Sequence, residues 1–300
     1  MLPRLLVLFA CVSVLPSASR AQDATGPTAP KSVILKPGNN VVELVQSNRH
    51  VRKVLIELPP GSREGDRLPV VFGFHGDGGP AEAYNRRLSP YVRKHNLISV
   101  SPQGETLAKE KQQGTITFFN FIPEKKDWAR QQADDLGLVR QILELLDVHE
   151  LSDPHRIYAT GGSAGGHMCN MLAKKTDILA AIAPTKCGMV KGMHEPAEGN
   201  RRTPLFWVMG DHDKSFDGGG SGEFVNLPVS ARIELWRHFN QCDAAAKVTS
   251  LPEMKIETYL AKDGVEVTLC TLPGITHAVP RELAEKTDAL IIEFFLRHKK

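Results

Sequence analysis

The chain has 300 residues, 41% of them hydrophobic and 24% charged, which are ordinary proportions for a globular protein. This composition excludes a disordered chain, a collagen and a coiled coil. The formal charge of +3 arises from 37 basic and 34 acidic residues without long runs of one sign. Such a weak charge excludes a nucleic-acid groove or an anchor for anionic membranes, and we expect no polyanionic partner.

The N-terminal segment has the three zones of a secretory signal peptide. Arg4 is followed by an apolar run over residues 5–15 and then by small residues up to Ala21. The apolar run is about half as long as a membrane-spanning helix. We predict cleavage after Ala21, a flexible leader over 22–40 that is rich in Pro, Gly, Thr and Asn, and a secreted or periplasmic product. Removal of 1–21 takes away two arginines and no acid, which lowers the formal charge from +3 to +1.

From residue 41 onward, predicted strands and helices alternate. An antiparallel pair over 41–45 and 51–58 precedes six short and mostly continuously apolar strands, a pattern typical of strands covered on both faces. These strands are predicted at 69–74, 97–100, 157–159, 179–183, 205–209 and 265–272, and helices at 134–146, 164–175 and 282–298. The alternation predicts one α/β domain over 41–300, with a mostly parallel sheet and helices on both faces.

A G-x-S-x-G motif centred on Ser163 follows the strand predicted at 157–159 and precedes a helix. Ligands of such sheets collect at the carboxyl ends of the strands, and strand-turn-helix is the setting of a nucleophile elbow. Glycines at 161 and 165 leave space where a side chain would collide with the neighbouring strand or helix. A Gly-rich phosphate cradle is the alternative, but the lysine of a P-loop is missing. We therefore predict Ser163 as a nucleophile.

A serine nucleophile needs a histidine base, which comes last in the Ser, acid, His order of α/β-hydrolases. His277 follows the strand predicted at 265–272 through a Gly-containing turn. We interpret His194, His212 and His238 as surface, strand-end and helical residues respectively. His277 is therefore the predicted base.

The acid that orients the base is expected after the strand predicted at 205–209. Asp213 is preferred, with Asp211 and then Asp217 as alternatives. Asp211, His212 and Asp213 could also be considered as metal ligands, but three adjacent side chains point in diverging directions. We predict neither a metal nor a cofactor.

Ester hydrolysis also requires donors for the developing oxyanion. The amide after the nucleophile belongs to Ala164, and the second donor is expected in the Gly-rich loop that begins at His75. We predict an oxyanion hole formed by the amides of Ala164 and Asp77, with Gly78 as the alternative donor. His75 is predicted to order this loop rather than to transfer protons.

Together these stretches resemble the secreted polyhydroxybutyrate depolymerase and feruloyl esterase family of α/β-hydrolases, often labelled esterase PHB or LpqC-like. The matching motifs lie at 74–76, 134–137, 158–166, 210–213, 236–242 and 273–277. The resemblance implies an α/β-hydrolase fold and hydrolysis of carboxylic esters through an acyl-enzyme, with Ser163, Asp213 and His277 as the catalytic residues and no cofactor.

Two features depart from the family pattern. Many members have a Trp-Pro pair after the catalytic histidine, whereas Ala278 follows His277 here, so an aromatic platform is not expected. The chain shows no C-terminal Ser/Thr-rich linker or appended binding domain. We therefore expect soluble small-molecule or oligomeric esters, of feruloyl or acetyl type or short hydroxyalkanoate oligomers, rather than a polymer granule.

The stretch 104–131 carries four aromatic residues near the expected cleft: Phe118, Phe119, Phe121 and Trp128. We interpret it as a pocket wall or partial lid, with plain surface packing as the alternative.

Two other functions share this fold. A prolyl-oligopeptidase-like serine peptidase has the same residue order and elbow, but usually carries a propeller domain, and only about 40 residues precede the core strands here. A catalytically inactive binding protein on the hydrolase fold is disfavoured because all three candidate residues are present.

Cys11 would be lost with the signal peptide, which leaves Cys169, Cys187, Cys242 and Cys270 in an exported chain. Four cysteines allow three pairings. The family resemblance implies a bridge at Cys242, but its usual partner position, just before the turn at 263–264, holds no cysteine. Because Cys270 is the nearest substitute, we predict a Cys242–Cys270 disulfide.

Overall fold

The computed structural model describes residues 33–108, 115–125, 129–222 and 224–300. The predicted signal peptide, most of the predicted leader and Trp128 lie outside these ranges, so the proposed processing and domain boundaries stay predictions. Within these ranges, no helix combines the length and apolar character needed to cross a membrane.

One large mixed sheet forms the centre of the molecule. The strands are β1 (Gly38–Val45), β2 (Val51–Leu58), β3 (Leu68–Phe74), β4 (Ile98–Pro102), β5 (Glu105–Ala108), β6 (Thr115–Phe118), β7 (Ser152–Gly162), β8 (Ala181–Thr185), β9 (Leu205–Gly210), β10 (Lys247–Leu251), β11 (Met254–Leu260) and β12 (Glu266–Leu272). Their order in the sheet is β1-β2-β4-β3-β7-β8-β9-β12-β11-β10, while β5 and β6 pair separately. The six strands from β4 to β12 are parallel, and antiparallel pairs close both edges.

Five helices of the described chain cover the sheet: α1 (Ala81–His95), α2 (Asp135–Val148), α3 (Ala164–Lys175), α4 (Val229–Phe239) and α5 (Arg281–Arg297). Alternation along β9 shows how both faces are buried. Trp207 joins the apolar cluster of α2, α3 and α4, whereas its neighbours Phe206 and Val208 join the cluster of α1 and α5. The continuously apolar strands are therefore covered on both faces, and the predicted α/β architecture with its antiparallel N-terminal pair is confirmed.

Helix α1 was not predicted from the sequence. Its buried residues Tyr84, Leu88 and Val92 recur at helical spacing, but the intervening positions are strongly polar and Pro90 lies inside the helix. A proline within a helix removes one backbone hydrogen bond and usually signals a helix end. Packing of the buried stripe against the sheet overrides that signal.

The predicted Cys242–Cys270 disulfide is wrong. All four described cysteines are buried free thiols. Cys242 lies in the apolar cluster on the α2, α3 and α4 face, whereas Cys270 lies in the cluster on the opposite face. The sheet separates the two thiols, so the close approach that a disulfide requires is not available.

Candidate active site

Ser163 occupies the sharp turn between β7 and α3, with φ 57° and ψ −120°. A positive φ is rare for a residue with a side chain and stores strain. The turn also needs its glycines, because a Cβ on Gly165 would lie 2.0 Å from the carbonyl oxygen of Phe74 at the end of β3. A Cβ on Gly161 would lie 2.3 Å from the carbonyl oxygen of Gly165. The backbone crossing over the sheet thus requires both glycines of the motif.

The backbone of Ser163 is held on both sides while its side chain stays accessible. Its N–H donates to the Thr185 carbonyl at the end of β8, at 3.1 Å. Its carbonyl accepts from the N–H groups of Gly166 and His167, at 2.9 and 3.1 Å. The side chain is partly exposed, and its hydroxyl has no hydrogen bond within the described ranges. The arrangement fixes the backbone of Ser163 and leaves its hydroxyl partly exposed.

Asp213 and His277 come together at the ends of β9 and β12. Nδ1 of His277 donates to Oδ2 of Asp213 at 2.6 Å. Oδ1 of Asp213 accepts from both the backbone N–H and the hydroxyl of Ser215, at 2.9 and 2.8 Å. The Asp213 side chain is 0% exposed and that of His277 is 48% exposed. Because Nδ1 carries the bound proton, Nε2 of His277 is left as an acceptor on the solvent side.

Opposing effects set the pKa of Asp213. Burial alone would raise it, but the hydrogen bonds from Ser215 and His277 outweigh burial and lower the pKa below its ordinary value. Asp213 is therefore an ionised carboxylate at neutral pH. An anion in this position can stabilise positive charge that develops on the neighbouring ring during a reaction.

Among the described residues, neither alternative acid forms a hydrogen bond or an ion pair with His277. Oδ1 of Asp211 accepts from the Gly274 N–H at 2.7 Å, which ties the loop carrying His277 to the end of β9. Asp217 is exposed. Of the three aspartates weighed from the sequence, the structure pairs only Asp213 with the histidine.

One of the three other histidines does not lie where the sequence analysis placed it. His194 was interpreted as a surface residue, but it is 1% exposed. Its Nε2 donates to the Phe121 carbonyl at 3.0 Å, and its Nδ1 accepts from the Val190 N–H at 3.3 Å. His212 follows the end of β9 and His238 lies in α4, as interpreted, and both side chains are exposed.

Strand adjacency brings Ser163 and His277 to the same edge of the sheet. Strands β7, β8, β9 and β12 are parallel neighbours, so their carboxyl ends lie side by side. His167 lies one helical turn beyond Ser163. Burial is the main cause that lowers the pKa of His167, and the nearby charge of His277 is a smaller cause in the same direction. Nucleophile, acid and base candidates thus share one cleft edge.

The loop after β3 lies against the elbow, and its backbone amides differ in whether they already have an acceptor. A Cβ on Gly76 would lie 3.3 Å from the Cβ of Ser163. The N–H of Gly78 donates to the Thr117 carbonyl at 2.7 Å and is therefore occupied. The N–H of Asp77 has no acceptor in the described part of the chain, nor does that of Ala164, the first residue of α3. The geometry thus favours Asp77 over Gly78 as the second donor.

His75 is buried beneath this loop with both ring nitrogens bonded to backbone. Its Nε2 accepts from the Gly104 N–H at 2.9 Å, so the proton is on Nδ1, which donates to the Gly76 carbonyl at 2.7 Å. Burial lowers the pKa of His75. Because both nitrogens of this neutral ring are hydrogen-bonded, His75 orders the loop and has no free nitrogen for proton transfer.

Sequence reasoning missed Arg130, which contacts the same loop. Its guanidinium forms two hydrogen bonds with the Asp77 carboxylate, one of them at 2.8 Å and the second between Nη2 and Oδ2. It also lies over the rings of Phe118 and Phe121, 5.3 and 5.2 Å from their centroids. No local signal could have revealed this pair, because 53 residues separate its members.

The three described aromatic residues of 104–131 lie inside the protein, whereas Trp128 is outside the described residues, so the interpretation as a pocket wall or partial lid stays a prediction. Phe118, Phe119 and Phe121 are all buried. The Phe119 ring lies 4.6 Å from that of His75, and the Phe121 ring stacks on that of His167 at 4.8 Å. The described part of this segment therefore packs against the first residue of the Gly-rich loop and against the first turns of α3.

Comparison with known proteins gives relatives of one kind. No family model matches the chain. Feruloyl esterase B of Piromyces equi is 27% identical over 249 residues, covering 76% of this chain and 42% of that protein. Poly(3-hydroxyalkanoate) depolymerase C of Paucimonas lemoignei is 24% identical over 235 residues, covering 71% and 55%. The chain thus spans about half the length of these curated relatives.

Solved structures share the fold over most of the chain. Acetyl xylan esterase from Aspergillus awamori superposes with a TM-score of 0.59 at 14% identity, covering 85% of this chain and 98% of that one. LpqC, a poly(3-hydroxybutyrate) depolymerase from Bordetella parapertussis, superposes with a TM-score of 0.56 at 18% identity, covering 87% and 91%. The chain has the α/β-hydrolase fold, and its predicted resemblance to the polyhydroxybutyrate depolymerase and feruloyl esterase family is confirmed.

Proposed function

We propose that the protein is a serine carboxylic-ester hydrolase that acts through an acyl-enzyme on Ser163. The observation that carries the proposal is the 2.6 Å hydrogen bond between His277 and the buried Asp213, at the same sheet edge as the strained Ser163 turn. The names of the relatives, feruloyl esterase and polyhydroxyalkanoate depolymerase, support ester chemistry.

In the acylation step, Oγ of Ser163 attacks the ester carbonyl carbon while Nε2 of His277 takes the hydroxyl proton. The Asp213 carboxylate holds Nδ1–H and stabilises the imidazolium that forms. The free amides of Asp77 and Ala164 donate to the carbonyl oxygen as it becomes negative. Collapse of the intermediate breaks the C–O bond, and His277 gives its proton to the departing alcohol.

Deacylation repeats these steps with water. His277 removes a proton from the water as its oxygen attacks the acyl carbon, and the same two amides stabilise the second oxyanion. Collapse releases the carboxylic acid and returns the proton to Oγ of Ser163. The cycle needs no electron transfer and no second substrate besides water.

The proposed substrates are soluble esters of feruloyl or acetyl type or short hydroxyalkanoate oligomers. The position after His277 carries Ala278, which offers no aromatic platform. We further propose that the enzyme acts outside the cytoplasm after cleavage near Ala21, which N-terminal sequencing of the exported product would test.

Hydrolysis of p-nitrophenyl acetate by Ser163→Ala tests the mechanism. We expect kcat to fall by about 10⁴ to 10⁶, because the nucleophile is lost while binding is kept. The matched control is Ser250→Ala, which removes an exposed hydroxyl from edge strand β10 and should leave kcat unchanged.

Full activity of Ser163→Ala would refute the assignment. Failure of a fluorophosphonate to label Ser163 in the wild-type protein would favour the binding-protein interpretation. Faster cleavage of aminoacyl-Pro amides than of any ester would favour the peptidase interpretation.

A further inference from the structure

Lys186 lies beside the Ser163 turn without a role in the proposed mechanism. It directly follows β8 and has a φ of 39°, in the region that residues with side chains rarely adopt. Its N–H donates to the Val208 carbonyl at 2.8 Å, which fixes the base of the side chain. Its Cε lies 2.9 Å from the point that a Cβ on Gly162 would occupy, so the side chain runs along the elbow.

The Lys186 ammonium has no hydrogen bond or ion pair within the described residues, although the side chain is partly buried. Burial, and then the charge of Arg87, lower the pKa of Lys186, while Asp213 and Asp288 act in the opposite direction. Both acids are already engaged, Asp213 as described above and Asp288 by two hydrogen bonds from Arg87 at 2.9 and 2.5 Å. A half-buried cation without a partner loses part of its hydration free energy, and a bound anion would offset that loss.

A cavity of about 540 Å³ opens in front of this lysine, between α1 and α5. Val279, two residues after His277, also lines it. Its charged lining residues are Arg86, Arg87, Lys186, Arg281, Glu285 and Asp288.

Two ion pairs neutralise four of these six charges. Arg87 pairs with Asp288, and Arg281 pairs with Glu285 at 2.7 Å. Arg86 is exposed and, like Lys186, makes no ion pair in the part of the chain that the structure describes. The cavity lining therefore has an excess of two positive charges, and one of them, on Lys186, belongs to a side chain that runs along the elbow.

We infer that this cavity is an anion subsite and that the preferred esters carry a carboxylate, which Lys186 and Arg86 bind while Ser163 attacks the ester carbonyl. The inference rests on the proposed function and narrows its substrate class. Esters of hydroxy acids with a free carboxyl end meet this requirement, whereas acetyl or feruloyl esters of neutral sugars do not.

Two pairs of esters test the subsite, each pair differing only in one negative charge. Mono-p-nitrophenyl succinate and its methyl ester place the charge on the acyl half. The second pair, 4-acetoxybenzoate and its methyl ester, places the charge on the alcohol half. We expect wild-type kcat/KM to favour the charged member of at least one pair by about tenfold, as a desolvated ion pair can supply.

Lys186→Gln should abolish that preference through a rise in KM for the charged ester, with the neutral ester changed by less than about twofold. Arg93→Gln is the matched control, because it removes an exposed cation of α1 that does not line the cavity, and it should keep the preference. In the wild-type enzyme, raising NaCl from about 0.05 to 0.5 M should shrink the preference, because salt screens exposed charges. This measurement needs no variant to fold.

Wild-type enzyme that prefers neither charged ester would overturn the anion subsite. If Lys186→Gln lowered kcat/KM equally for the charged and the neutral esters, the anion subsite would also be overturned. Lys186 would then act only by supporting the elbow. Hydrolysis of none of the four esters by the wild-type enzyme would instead reject the proposed function itself, and with it the subsite.

Discussion

Ser163, Asp213 and His277 stand at the ends of parallel strands, whereas the amide of Asp77 sits in a loop held by side chains from a distant segment. Backbone hydrogen bonds and strand order position the first group. The loop depends on His75 beneath it and on Arg130 across the cleft. The candidate site is therefore positioned in two different ways. The sheet edge positions the three side chains, and a clamp, defined here as the ion pair between Arg130 and Asp77, positions the loop amide.

Asp213→Asn tests the sheet edge and should have the largest effect. The amide cannot hold the imidazole in the tautomer with a proton on Nδ1, nor stabilise the imidazolium, so we expect kcat to fall by about 10⁴. Steady-state hydrolysis of p-nitrophenyl acetate measures it. Asp217→Asn, which changes an exposed acid of the same loop, should keep wild-type activity. Equal losses in both variants would contradict the assigned pairing.

His194 tests the anchorage of the distant segment, because its ring donates to the Phe121 carbonyl. Burial lowers the pKa of His194 to about 4, against 6.5 in the unfolded chain. Between these values the unfolded chain binds the extra proton, so the stabilising contribution is complete above pH 6.5 and is lost as the pH falls toward 4. Over this window the loss amounts to about 3 kcal/mol at most.

Urea unfolding of wild type and His194→Gln between pH 7 and pH 4 measures this contribution. The variant should show a shallower decline of the unfolding free energy with falling pH, together with a lower value at pH 7. His238→Gln, at an exposed site on α4, should reproduce the wild-type slope. Identical slopes for wild type and His194→Gln would remove His194 as the titrating group.

Arg130→Gln tests the clamp and should have the smallest effect. Loss of the ion pair frees the loop, and we expect kcat to fall by about tenfold, because a mobile amide stabilises the oxyanion less well. KM should change little, and Arg130→Lys should recover part of the activity. Exposed Arg93→Gln on α1 is the control.

A double-mutant cycle with Asp77→Asn separates the clamp from general effects of the substitutions. If the pair acts as one unit, the double variant should lose no more activity than Arg130→Gln alone. Additive losses, or wild-type kcat in Arg130→Gln, would show that the loop does not need the clamp.

The strand ends were predictable because their signals are local. The G-x-S-x-G turn lies between an apolar strand and a helix, and the loop of His277 follows a buried strand. Both patterns come from backbone sterics and burial, which act over a few residues. The sequence did not decide between Asp211 and Asp213, because both follow β9 and only the direction of each side chain differs.

The wrong predictions concern contacts between distant parts of the chain. Cys270 was chosen as the partner of Cys242 because it is the cysteine nearest to the family's usual partner position, but strand alternation places Cys270 on the other face of the sheet. His194 was assigned to the surface, whereas it is 1% exposed and its ring donates to the carbonyl of Phe121. Which face of the sheet a residue occupies, and whether a distant segment buries it, cannot be deduced from its neighbours in the sequence.

The sequence by itself determined the α/β class, the strand ends that carry Ser163 and His277, and the glycines that the elbow requires. These follow from periodicity and local sterics. Only the tertiary structure decided that Asp213 contacts His277, that Arg130 holds Asp77 and that Lys186 lies beside the elbow with no ion pair among the described residues. These contacts join residues far apart in the chain, and which ones form depends on strand order and helix packing.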